Sequence, residues 1–260
     1  MADFLLEILS EEIPARMQAR ARNDLARLFA QQAKAAGLAT GPIDTLSTPR
    51  RLILIARDVA EATEASREEI KGPRSSAPPQ ALEGFLRKTG LTRDQLLDRD
   101  GVLFAVVERP GRGAPDVLAE AIKAIVADFP WPKSMRWGSG ALRWVRPLQG
   151  IVALLGEEIV PVEIDGLASG ATTVGHRFHH PGPITIGGAH DYAEKLRACH
   201  VIVDQDERER IVREGAETAA AGAGLQLLPD EGLVVENAGL TEWPVPLLGR
   251  FDPEYLDVPR

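Results

Sequence analysis

The segment at residues 131–150, WPKSMRWGSGALRWVRPLQG, carries four cations, Lys133, Arg136, Arg143 and Arg146, and no acid. It also holds Trp131, Trp137 and Trp144, three of the four tryptophans in the chain. Ammonium and guanidinium groups pair with phosphate oxygens, and flat rings stack on unpaired bases, so this composition suits a nucleic-acid surface. The same residues would also serve as core anchors with a cationic rim. A second basic stretch, residues 71–93, sets Lys71, Arg74, Arg87, Lys88 and Arg93 against Glu83 alone. A solvated loop and helix face has the same composition. Thr48-Pro49-Arg50-Arg51 puts two arginines at the mouth of an apolar strand, where alternation sends neighbouring side chains to opposite faces. One could bind an anion while the other makes a structural ion pair.

Gly175-His176-Arg177-Phe178-His179-His180 spaces its histidines as metal ligands are spaced. Zinc takes three or four ligands, and no cysteine or HExxH pattern lies nearby, so no metal is expected. Contact of His176 and Arg177 with a phosphate or a 2′-hydroxyl suits these residues better, beside an ordinary hydrogen-bonded structural role. Cys199 and His200 are neighbours in an apolar context and read as core rather than as a catalytic dyad. The chain has no GxGxxG after a strand, no GxxxxGK[ST], no GxSxG and no kinase motif set, and no catalytic residue is assigned.

The elements that would position these groups follow from the pattern. DFLLEIL at the start alternates and reads as a strand. Ser10, Glu11, Glu12 and Pro14 then give a cap, first-turn acids and an early proline for a helix over 15–36, with Met17, Leu25, Leu28 and Phe29 as its apolar positions and Gly37 as its end. Strands are expected at 51–59 and 102–108, and helices at 80–89, 93–97 and 114–129. Residues 131–150 read as irregular. The apolar runs 151–155 and 159–164 flank Gly-Glu-Glu as a hairpin would. Loop and short strand follow over 172–186, then helices over 189–198 and 206–221. The mixed order predicts an α+β fold, mixed sheets with packed helices. A weak boundary near 166–170 divides the chain into 1–165 and 166–260.

The 260 residues allow one large or two modest domains. Hydrophobic residues make up 44% and charged residues 26%, which excludes wholesale disorder, and no apolar stretch approaches the roughly 18 residues of a membrane span. The opening MADFLLEILSEEIP puts acids where a secretory signal would put lysines. A lone cysteine, Cys199, rules out an internal disulfide, and the expected compartment is the cytoplasm. The net charge of −8 is a gradient: residues 204–260 hold 13 acids and 5 cations, leaving 25 of each before them. Any polyanion surface must therefore be local. The ending FDPEYLDVPR has no polar tail, capping signal or charge run, as expected of a piece of a longer protein.

The phrases LLEILSEEIPARM, TPRRL, KGP, GFLRKTG, MRWG, WVRPLQGIVALLG, GHRF and LTEWPVPLLGRFD occur in this order. Together they resemble the N-terminal part of the beta subunit of bacterial heterotetrameric glycyl-tRNA synthetase. Two places depart from that pattern: Gln149-Gly150 stands where the family usually has His-Trp, and Leu9-Ser10 where it usually has Gly-Thr. The resemblance implies an enzyme of two alpha and two beta chains that joins glycine to its tRNA with ATP. The alpha chain carries the class II catalytic core, and the beta chain contributes tRNA recognition. The HD-like and anticodon-binding regions of the family lie downstream of residue 260. No cofactor is expected in this part. More distantly, the region resembles the editing-type module of the phenylalanyl-tRNA synthetase beta chain. The expectation is a part that contacts tRNA and assembles with the alpha subunit, with Lys133, Arg136, Arg143, Arg146, Arg50, Lys71, His176 and Arg177 as candidate tRNA contacts. The rivals are a hydrolase of mischarged tRNA around Arg50, His176 and Arg177, and a pure assembly module without RNA contact.

Overall fold

The computed structural model describes residues 1–257. In chain order the elements are β1 (Ala2–Ser10), α1 (Ala15–Ala36), β2 (Ile43–Ser47), β3 (Arg51–Val59), β4 (Ser66–Arg74), α2 (Pro79–Thr89), β5 (Leu96–Arg99), β6 (Val102–Arg109) and α3 (Ala114–Ala127). There follow β7 (Leu148–Leu155), β8 (Glu158–Ile159), β9 (Glu163–Ile164), β10 (Leu167–Ala168), β11 (Thr172–Val174), β12 (Pro183–Thr185), α4 (Tyr192–Ala198), α5 (Gln205–Gly222) and α6 (Glu231–Ala238). The fold is α+β, as the mixed element order predicts. It comprises two compact units: Met1–Ala60 with the chain from Pro115 onward, and Glu61–Ala114.

The larger unit is built on an antiparallel sheet in the order β2-β3-β1-β7-β8. Central β1 pairs Leu6 with Leu54 on one side and with Ala153 on the other. Its residues from Phe4 to Ser10 are all buried, so the strand is not half solvated as alternation would have it. Both faces are covered. On one, α1 packs its Met17, Ala21, Leu25, Phe29 and Ala33 stripe, and the Phe29 ring stacks on Phe4 at 5.7 Å. On the other, Leu5, Ile53, Ile55, Val152 and Leu154 meet Ile184, Ile186, Tyr192, Leu196, Val201 and Val203. Burial of this kind stabilises by about 25 cal/mol per Å² of apolar surface.

Three local readings change. Ser10 does not cap α1. It is the last residue of β1, buried and paired with Leu148, and the helix begins at Ala15 after Pro14 without a side-chain cap. Ladder pairing wins over the local capping signal. Residues 93–97 are not a helix: a 3₁₀ turn over Arg93–Gln95, closed by a Thr92–Gln95 capping box, leads into β5. The run 159–164 does not continue the β7 hairpin, because Pro161 has no N–H to give the ladder. Glu158 and Ile159 pair with β7 and the Val160 N–H still donates to the Ala153 carbonyl at 2.9 Å, whereas Glu163 and Ile164 pair with β10. The dividing line at 165/166 falls inside this β9–β10 hairpin. Asp165 (φ 51) and Gly166 (φ 81) form its turn, as a two-residue hairpin with left-handed positions requires. Gly170 then returns to β7, its N–H on the Ile151 carbonyl at 3.0 Å.

The smaller unit is the antiparallel sheet β4-β6-β5 with α2 against β4. Phe85 of α2 is buried, and Gly72 makes room for it. A Cβ at Gly72 would lie 2.5 Å from the Phe85 ring.

Candidate nucleic-acid interface

Arg50 and Arg51 separate: Arg50 lies in the bend before β3 and Arg51 opens the strand. Arg51 is fully buried on β3 and forms an ion pair with Glu7 of β1 at 3.2 Å and another with Glu242. Its remaining nitrogen donates to the Val174 carbonyl. Thr173 and Tyr192 donate to Glu7, and Thr48 donates to Glu242 at 2.7 Å. Burial pushes Arg51 down, but the Glu242 and Glu7 carboxylates outweigh it and hold it above the ordinary arginine value. Burial, reinforced by Glu7, pushes the Tyr192 phenol well up, so it stays a donor. This cluster ties strands β1, β3 and β11 to the segment after α6. Buried Arg208 of α5 adds a second tie. It donates to the carbonyls of Ile202 (2.6 Å), Ser47 (2.8 Å) and Ala238 (3.0 Å), and burial lowers its pKa to about 10.

Arg50 lies outside that cluster and is half-buried. Its Nε is buried with no hydrogen-bond partner among the described residues. Burial lowers its pKa, against Glu242, and the Arg51 and Arg177 charges add to the lowering. Arg50, His176 and Arg177 are thus brought to one region of the larger unit. Arg177 reaches Glu12 at 3.2 Å and Glu11 at 3.5 Å, both across an exposed surface. His176 Nδ1 accepts the backbone N–H groups of Phe178 and His179, each at 3.2 Å. Burial, followed by the His179 charge, lowers the His176 pKa. The rings run on from His176 to His179 (4.6 Å), His200 (5.2 Å) and Trp243 (4.9 Å). Among the described residues no three His, Cys, Asp or Glu side chains are grouped to hold a metal ion.

The 131–150 segment is irregular up to β7, pinned by a mutual backbone pairing of Met135 with Trp144. Its tryptophans divide. Trp144 is fully buried, edge-on to Trp131 at 5.1 Å and 4.9 Å from Phe129. That ring cluster anchors the segment and leaves Trp144 no face for a base, whereas Trp137 is half-buried. Lys133, Arg136 and Arg143 are exposed and Arg146 is half-buried. Arg143 bonds Ser134 Oγ at 3.2 Å, and Arg146 donates to the Val145 carbonyl at 2.7 Å. Lys133 and Arg136 make no ion pair or hydrogen bond among the described residues. Lys133 shares a cleft of about 410 Å³ with Arg16, Arg20 and Asp24 of α1 and with Trp131. Sequence reasoning missed Arg16 and Arg20, which α1 carries one turn apart on its outer side. Lys71 is exposed on β4 of the smaller unit, as are Arg74, Arg87, Lys88 and Arg93.

A different surface lies between α5, α6 and the 240–248 segment. This groove of about 620 Å³ is lined by Val212, Ala216, Leu233, Leu240, Val245 and Leu248, among others. Leu240 is 62% and Leu247 85% exposed. Among the described residues no helix is long and apolar enough to cross a membrane.

Residues 4–260 match the sequence model of the family described as "Glycyl-tRNA synthetase beta subunit". The chain is 52% identical over 267 residues to the glycine–tRNA ligase beta subunit of Paracoccus denitrificans, covering all of this chain and 39% of that protein. It is 52% identical over 260 residues to that of Phenylobacterium zucineum, again covering all of this chain and 39% of the relative. The protein of the same name from Rhodospirillum centenum is 44% identical over 288 residues, covering all of this chain and 40% of its own length. The chain therefore spans about two fifths of the length of the curated relatives it matches. With a family match running almost end to end and relatives at this identity, the chain belongs to the glycyl-tRNA synthetase beta subunit family.

Proposed function

We propose that this chain serves the ATP-dependent attachment of glycine to its tRNA, as part of the beta subunit of a cytoplasmic glycine–tRNA ligase. Its part is to contact tRNA and to assemble with an alpha subunit that carries the catalysis, in an enzyme of two alpha and two beta chains. The observation that carries tRNA contact is the pair Lys133 and Arg136: exposed, without a partner among the described residues, and set on a segment anchored by a buried ring cluster. Unpaired cations on a fixed backbone bind phosphate without first breaking an ion pair or ordering a loop. Arg143, Arg146, Arg16 and Arg20 extend that surface. Arg50, His176 and Arg177 offer a second contact region, and Lys71 one on the smaller unit. What supports assembly is the exposed apolar groove beside α5 and α6, a feature that marks interaction surfaces.

A hydrolytic reading finds less support. Of the carboxylates near the Arg50 region, Glu7 and Glu242 are 1% and 5% exposed and bound to Arg51, and the exposed Glu11 and Glu12 are paired with Arg177. Glycine is the smallest amino acid, so a tight synthetic pocket excludes all others by volume and leaves little for an editing site to correct. The test is co-purification with the alpha subunit followed by cross-linking of bound tRNA and mapping of the joined peptides. Cross-links within residues 131–147 are expected. Cross-links that spare these residues, the Arg50 region and Lys71, with the subunits still assembled, would leave a pure assembly module.

A further inference from the structure

The loop over residues 175–182 joins β11 to β12 and is held from within and by the end of α4. The His176 N–H donates to the Cys199 carbonyl at 3.0 Å, and the His180 N–H donates to the His176 carbonyl at 2.9 Å. The imidazole of His176 accepts from the next two turn amides, Phe178 and His179. The two ends of the loop meet at the Gly175 N–H to Gly182 carbonyl bond, 3.3 Å. Gly175 is required there: a Cβ would lie 2.5 Å from the His180 carbonyl oxygen.

With its backbone fixed in this way, the turn presents Phe178 outward at 80% exposure. A hydrophobic ring exposed at the tip of a well-tied loop gains nothing from folding, because burial is what stabilises such a side chain. Its surroundings are not those of an apolar docking patch. Arg177, His179 and His180 flank it and are all exposed, and the His176 ring lies 6.0 Å from it. One aromatic face among a guanidinium and imidazoles matches an unpaired base with its flanking phosphates. A duplex offers no free base face, and an apolar protein partner would bury Arg177 and the histidines without polar partners.

We propose that Phe178 is a stacking platform for one unpaired base of RNA, with Arg177 and His180 beside it for the adjoining backbone. This rests on the tRNA-contact reading above and goes beyond it by naming a base-binding residue and a single-stranded ligand. Arg177 would exchange its exposed pairs with Glu11 and Glu12 for a phosphate, an inexpensive step because exposed ion pairs contribute little.

The experiment measures binding of a glycine tRNA transcript to the assembled two-subunit enzyme carrying Phe178→Ala, Phe178→Leu or Phe178→Trp. Stacking predicts that Phe178→Ala and Phe178→Leu weaken binding roughly 5- to 150-fold, the range that alanine substitution of base-stacking aromatics gives. Phe178→Trp should keep the affinity, and tRNA should quench the new indole. A folded Phe178→Ala enzyme with wild-type affinity, or a Leu variant as good as wild type with an unquenched Trp variant, would overturn the proposal. So would unchanged tRNA affinity with weakened subunit association, which would make Phe178 a protein-packing residue. If binding falls with Lys133→Ala/Arg136→Ala but not with Phe178→Ala, only the stacking proposal fails. If the wild-type enzyme shows no salt-dependent tRNA binding, both fail.

Discussion

Replacing Arg51 with Met would expose what the buried charge cluster contributes. Methionine fills much of the volume but removes the donors to Glu7, Glu242 and the Val174 carbonyl. Both carboxylates would then be buried without their ion-pair partner, and stranding one partner of a buried pair costs about 3–5 kcal/mol. Thr173, Tyr192 and Thr48 would still donate to them, which places the loss within that range rather than above it. With a urea dependence of about 2 kcal/mol per M, the unfolding midpoint should fall by roughly 1.5–2.5 M. Intrinsic fluorescence suits the assay because Trp131, Trp137, Trp144 and Trp243 all lie in the larger unit, which contains the cluster. The triple variant Glu7→Gln/Arg51→Met/Glu242→Gln removes the stranded charges and should recover most of the midpoint. An Arg51→Met midpoint within about 0.5 M of wild type would refute the reasoning. A triple variant no more stable than the single one would refute it equally.

Two other outcomes follow from the geometry. Gly72→Ala should destabilise the smaller unit by about 1–3 kcal/mol, because its Cβ would meet the Phe85 ring at 2.5 Å and the Leu103 carbonyl oxygen at 2.9 Å. Faster amide exchange in β4 and β6 would register this, and unchanged exchange would mean the ring slides aside. The 175–182 loop should loosen in acid. His176 Nδ1 accepts two amides only while neutral, and burial, with the His179, His200 and Arg177 charges and against that of Glu242, lowers its pKa from the ordinary 6.5. The neutral form is the one the folded loop favours, so its contribution is full above about 6.5 and is lost as pH falls through the lowered value. Exchange protection of the Phe178 and His179 amides should drop over that window, and His176→Phe should abolish the pH dependence.

What the sequence made legible was whatever a short window contains. Strand β1, helix α1 with its Gly37 end and the acid-free cationic run at 131–150 each announce themselves within about twenty residues. That one of Arg50 and Arg51 would make a structural ion pair was legible, though not which of the two. The partners of Arg51 could not be read, because Glu7 lies 44 residues away and Glu242 lies 191 residues away, and nothing local marks either as buried. Glu7 sits in a run that looks half solvated, and only the layers on both faces of β1 reverse that. The tryptophans of 131–150 were ambiguous for a related reason: a ring that anchors and a ring that stacks have the same composition. The structure assigns Trp144 to the core, and the exposed rings lie elsewhere, Phe178 among them. Strands β2, β4 and β10 and helix α6 were not anticipated: β2 and β10 are short, β4 is rich in charge and carries Gly72-Pro73, so that Lys71 and Arg74 read as a loop, and α6 has its Leu233-Val234-Val235 run contiguous rather than spaced by turns.

Contact with tRNA is tested most directly by salt dependence. The assembled enzyme and its Lys133→Ala/Arg136→Ala variant are titrated with tRNA over a salt series, with circular dichroism as the folding control. Removing one cation that neutralises a phosphate should reduce the slope of log affinity against log salt by roughly 0.7 on single strands and 0.9 on duplex. Removing both therefore predicts a slope smaller by about 1.4–1.8 and weaker binding at low salt. A folded variant with the affinity and slope of wild type would contradict tRNA contact at this surface.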